Sequence, residues 1–112
     1  MITDAGTKDI VANYILAQYT TVKAGNGGDD TSSAQTELDS FVVSKVVTPS
    51  AMDSQIIWTI EFTGSEIGAQ GISELGIFKT SNDTLLSRVT FPNTGVIASN
   101  DSVTFTIRME VS

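Results

Sequence analysis

Ser102-Val-Thr-Phe-Thr-Ile-Arg-Met-Glu-Val-Ser112 alternates without a break. Val103, Phe105, Ile107, Met109 and Val111 fall on one side, and Thr104, Thr106, Arg108 and Glu110 on the other. Successive side chains of a strand point to opposite faces, so this stretch reads as one long strand with a buried and a wet face. The same alternation recurs upstream in Gln55 to Thr63, with Ile56, Trp58, Ile60 and Phe62 inward and Ile57, Thr59 and Glu61 outward. Phe41 to Thr48 is valine-rich and stops at Pro49; Gly71 to Phe78 and Thr84 to Phe91 are two further strands, the second closed by Pro92. Thr80-Ser-Asn-Asp83 between them is short enough for a hairpin. A brief extended piece, Tyr19 to Val22, precedes the glycine-rich Ala24-Gly-Asn-Gly-Gly-Asp-Asp30. Such a series predicts a mainly β fold, an antiparallel β-sandwich or jelly-roll-like domain. It carries one short N-terminal α-helix over residues 4–17, with Ile10, Val11, Tyr14 and Ile15 as its apolar face and Thr3 or Asp4 as its cap.

The chain of 112 residues reads as a single domain, 1–112, with 40% hydrophobic and 17% charged residues, a globular balance. Its net charge of −7 argues against nucleic acid as a partner, because duplex affinity rests on Lys and Arg neutralising phosphates. The same charge disfavours an anionic membrane surface, and no apolar run approaches the length of a span. With no cysteine and no histidine, disulfides, thiolate zinc sites, cysteine nucleophiles and Ser-His-Asp triads are excluded. The opening Met1-Ile-Thr-Asp-Ala-Gly-Thr-Lys-Asp9 lacks the basic region and apolar run of a signal peptide.

The remaining polar groups have simple structural readings. The Gly25-to-Asp30 loop lacks the Gly-Lys-Ser/Thr ending and following helix of a phosphate cradle, and reads as a flexible surface segment. Asp29 and Asp30, with Asp39, are not spaced like an EF-hand and read as a solvated acidic turn. Glu61, Glu66 and Glu74 are the carboxylates available for acid–base work. Glu74 stands out, because alternation places it on one face with Ile72 and Phe78, where a carboxylate needs a cation. Arg88 and Arg108 are the candidates, so Glu74, Arg88 and Arg108 are expected to form a structural ion pair that fixes strand register. Trp58, between Ile56 and Ile60, reads as core more than as a sugar-stacking platform. No catalytic, cofactor or metal site is expected, and the chain does not read as an enzyme.

The order of motifs carries a resemblance. Ile2-Thr-Asp-Ala-Gly6 leads into the helix, and the Gly/Asp loop is followed by Gln35-Thr-Glu-Leu38. Then come Gly71-Ile-Ser-Glu-Leu-Gly-Ile-Phe78, Thr84-Leu-Leu-Ser-Arg88 and the terminal strand. Together these resemble the N-terminal domain of tailed-bacteriophage tail-collar fibres and small stand-alone phage virion proteins of similar pattern. The resemblance implies a structural virion protein made in the host cytoplasm, a capsid decoration (cement) protein binding the major capsid protein or other virion proteins. A tail-collar, fibre-base or baseplate component is the alternative, and a carbohydrate-binding β-sandwich the alternative of another class. A homo-oligomer, a trimer at a lattice symmetry point, is the expected state. The expected contacts are Met1, Ile2 and Thr3; Gly25, Asn26, Gly27, Gly28, Asp29 and Asp30; and Asn93, Thr94, Gly95 and Val96.

Overall fold

The computed structural model describes residues 1–28, 34–52 and 54–111. Thr3 opens helix α1 (Asp4–Gln18): its Oγ1 accepts a hydrogen bond from the Gly6 N–H at 3.1 Å, and Asp4 adds acidic charge to the first turn. The strands are β1 (Thr21–Gly25), β2 (Phe41–Val46), β3 (Ser50–Met52), β4 (Gln55–Thr63), β5 (Glu74–Phe78), β6 (Leu85–Thr90) and β7 (Ser102–Glu110). A single-turn helix, α2 (Gly64–Ile67), follows β4 and starts on a capping box between Thr63 and Glu66.

Two antiparallel sheets enclose the core, one in the order β2-β1-β5-β6 and the other β3-β4-β7. Ile56, Trp58, Ile60 and Phe62 of β4 pack with Val22 and Ala24 of β1, Leu75 and Ile77 of β5, and Ile67 and Ile72. The sandwich-like, mainly β class read from the alternation is the observed one. Trp58 is fully buried, and its indole Nε1–H donates to the Tyr19 carbonyl at 2.8 Å, tying the end of α1 to the sheet. The β5–β6 connection is the expected hairpin, closed by the Lys79 N–H to the Thr84 carbonyl and by Asn82 Oδ1 accepting from the Thr84 N–H.

Several details depart from the sequence reading. The third strand begins at Glu74, not Gly71, and the short β3 and α2 were not anticipated. Gly25 is a buried residue of β1, not part of a loose loop. The helix turns a different face inward. Ile15 is its one buried residue, with Ala12 and Leu16 packed beside it, while Ile10, Val11 and Tyr14 are exposed at 61%, 41% and 48%. Ala12, Ile15 and Leu16 follow the three-and-four spacing of one face, and a small alanine lets the helix approach the sheet. The molecule is elongated, 53 × 28 × 25 Å. Among the described residues no helix is long and apolar enough to cross a membrane.

Candidate functional site

β5 is buried along its whole length because something covers each of its faces. Leu75 and Ile77 face the main core. On the other face lie Glu74, Gly76 and Phe78, overlaid by the 35–40 segment and its buried anchor Leu38. Lys23, opposite Gly76 on β1, sets its ammonium 4.4 Å from the Phe78 ring centroid.

Glu74 organises this second layer. Its Oε2 accepts from the N–H groups of Gly27 and Ser40, each at 2.8 Å. Its Oε1 accepts from the Asp39 N–H at 3.0 Å and from Arg88 Nε at 2.8 Å. The register makes this geometry available: Glu74 is paired with Thr90, which places Arg88 diagonally across on the same face. Arg88 also reaches Asp39 Oδ2 at 2.9 Å and Gln35 Oε1 at 3.1 Å. Burial pushes the Glu74 carboxyl upward. The Arg88 guanidinium and the N–H groups of Ser40, Asp39 and Gly27 outweigh it and hold the carboxyl below its ordinary 4.5.

The glycines of the neighbouring turn are placed by this carboxylate. A Cβ on Gly25 would come within 2.6 Å of Glu74 Oε2, and one on Gly27 within 2.5 Å. The turn is therefore drawn against the carboxylate, and Ser73 Oγ completes the attachment by donating to the Gly27 carbonyl at 2.6 Å.

The expected ion pair is thus formed by Glu74 and Arg88, with Asp39 as its third member. Arg108 does not join it: this residue is exposed on β7, paired with Ile57 in the other sheet. Nor does Glu74 share a face with Ile72, which lies in the main core ahead of the regular strand. Asp39 and Gln35 were missed as members, since neither lies on a strand whose alternation could point at Glu74. Each Glu74 oxygen is held by N–H donors, so the carboxylate is committed to structure. Glu66 is likewise occupied, accepting from the Thr63 N–H at 2.8 Å and facing Lys45 at 3.3 Å.

Two of the three expected contact segments come together. Asn26 donates to Gln70 Oε1 at 3.0 Å, and the Gln70 carbonyl accepts from the Ile97 N–H at 3.2 Å. Thr94 accepts from the Ile72 N–H through its Oγ1 at 3.0 Å and donates its own N–H to the Ile72 carbonyl at 2.9 Å. The 70–73 stretch therefore ties both segments to one end of the sandwich. It holds the 92–100 connection more firmly than an open loop. Asn26, Gly28, Asn93, Thr94, Gly95 and Val96 are accessible there, Val96 at 77%, whereas Gly25 is buried and Gly27 half-buried. Asp29 and Asp30 lie outside the described residues.

Met1, Ile2 and Thr3 lie at the other end. A groove of about 410 Å³ runs between α1 and the Gln55 end of β4, lined by Ala5, Ala12, Leu16, Ala51, Ile56 and Val111. The loop cluster lies beyond the Thr63 end of the same strand, and nine strand residues span about 30 Å. Among the described residues no group of His, Cys, Asp and Glu could hold a metal ion. No protein-family model matches the chain, and no curated protein matches it.

Proposed function

We propose that this protein is a structural component of a tailed-phage virion, docked on the assembled head as a decoration protein. The observation that carries the reading is helix α1, which buries Ile15 and leaves Ile10, Val11 and Tyr14 exposed beside Met1 and Ile2. Five of the ten large apolar side chains left exposed among the described residues lie on this helix and the three residues before it. The others are spread over β2, β3, β6 and the 92–100 connection, so α1 carries the densest group of exposed apolar contacts. A second accessible surface, Asn26 and Gly28 with Asn93 to Val96, lies beyond the Thr63 end of β4, away from the Gln55 end that α1 lies against. Separate contacts at two ends suit a molecule that bridges neighbours on a lattice. Binding the assembled shell in preference to its free parts then stabilises the shell by mass action. The order of sequence motifs, which resembles the collar-fibre N-terminal domain, supplies the phage context. Burial of Trp58 in the core weakens the carbohydrate-module reading, which needs that indole at the surface.

The test is re-addition of purified protein to phage heads that lack it, read by co-sedimentation and by its copy number per particle. Saturation at a number matching the capsid lattice supports the reading; a few copies confined to the tail replace the head with the collar or fibre base. The double substitution Ile10→Asp and Val11→Asp should leave circular dichroism unchanged and weaken head binding by about tenfold or more. Undiminished binding would remove α1 from the contact, and no binding by the parent protein would overturn the proposal.

A further inference from the structure

β7 is an edge strand, paired with β4 alone, and its register fixes which backbone groups are left over. The Val111 N–H donates to the Ser54 carbonyl and the Gly64 N–H to the Asp101 carbonyl, both at 2.8 Å. In an antiparallel ladder both polar groups of a residue point the same way, and the direction alternates along the strand. The pairing from Gln55↔Glu110 to Thr63↔Ser102 runs without a bulge. Odd-numbered residues of β7 therefore face β4. Ser102, Thr104, Thr106, Arg108 and Glu110 turn their N–H and C=O groups to the open edge, where they pair with no strand among the described residues.

The other edges are blunted. β3 is three residues long, and register shifts interrupt the pairing of β2 at Ala24/Gly25 and of β6 at Ile77/Phe78. β7 carries no bulge, proline or lysine against edge-to-edge pairing, and its only charges are Arg108 and Glu110. Behind its edge Val103, Phe105, Ile107 and Met109 are only half-buried, whereas their β4 neighbours Ile56, Trp58, Ile60 and Phe62 are at most 3% exposed. The core is open along one side.

We propose that this edge pairs with β7 of a second copy, antiparallel about a two-fold axis through Thr106. Full overlap of the strand selects that register: Ser102 faces Glu110, Thr104 faces Arg108 and Thr106 faces its counterpart, each pair exchanging N–H···O bonds. Between them Val103 meets Met109 and Phe105 meets Ile107 on the core side, covering the half-open row. Charge also selects a second copy at this place. The chain carries −7 overall, so most of its surfaces repel their own kind, but β7 holds one Arg and one Glu. In the two-fold register each of these faces a neutral hydroxyl and no like charges meet. The contact is isologous and closes after two chains, in place of the three-fold cluster that the sequence resemblance suggests. It does not depend on the virion reading.

Sedimentation equilibrium of the full chain tests the pairing, with a dimer expected to fill in across about 1 to 500 µM, the range of a modest interface. Thr106→Pro removes an outward N–H and leaves the β4 ladder intact, so the variant should keep its thermal midpoint and remain monomeric. Thr106→Lys and Thr106→Asp each place like charges across the axis and should be monomeric alone. Mixed in equal amounts, they should form a heterodimer. A parent protein that stays monomeric throughout overturns the proposal. So does a dimer that survives Thr106→Pro, a trimer, or a mixture no more associated than its parts.

Discussion

β5 and β7 are the two extremes of this molecule. β5 is buried at every residue although it holds a carboxylate, while β7, the most regular alternation in the chain, has no fully buried residue. Clean alternation reports one covered face, whether the strand lies at an edge, as β7 does, or in the middle of its sheet, as β4 does. A central strand roofed on both sides loses that pattern and can hold a charge, provided the roof brings partners. For Glu74 the roof is the 35–40 segment and the Gly27 turn, and the partners are Arg88 and three backbone N–H groups. The regularity of a strand is therefore a poor guide to its depth.

The largest way to break the contrast is Glu74→Ala. It strands three N–H donors and weakens the pairing of a buried guanidinium, and should cost about 3–5 kcal/mol in urea unfolding at neutral pH. The pH dependence has a definite sign. The Glu74 carboxyl is held below its ordinary 4.5 in the folded chain, so its contribution is complete above that value. The contribution is lost as the pH falls through the lower, folded value. The stability gap between parent and variant should therefore narrow in acid; a gap constant from pH 7 into that range would show that the carboxylate is not held by these donors. Gly27→Ala comes next, since its Cβ would meet Glu74 Oε2 at 2.5 Å. It should cost about 1–3 kcal/mol by forcing the turn off the carboxylate. The smallest effect belongs to β7, where Thr104→Val on the outward face should stay within about 0.5 kcal/mol for the monomer. A larger loss there would mean that the outward row is covered after all.

How much of this was legible follows from the range of the interactions. The boundaries of β4 and the start of β7 were readable to the residue, because alternation is local and both strands cover one face. The Glu74–Arg88 pair was also readable, from an anomalous carboxylate on an apolar strand and a cation on the next. The third partner was not, because Asp39 reaches the site from a connecting segment with no periodicity to aim it. Gly25 and Gly27 read as freedom when they are close approach. The group they make room for lies far along the chain at Glu74, and nothing near them signals it. On α1 the larger residues Ile10, Val11 and Tyr14 suggested the wrong face. The true one includes Ala12, whose small side chain looks like poor core until the sheet is seen against it.

Trp58, the chain's single tryptophan, donates its indole N–H to the carbonyl of Tyr19, the C-cap of α1, at the joint where the helix meets the sheet. The protein thus contains its own optical gauge of that joint. If seizing a partner levers the helix away from the sandwich, the indole gains water and its emission shifts to the red; if the helix is captured in place, the colour stays fixed.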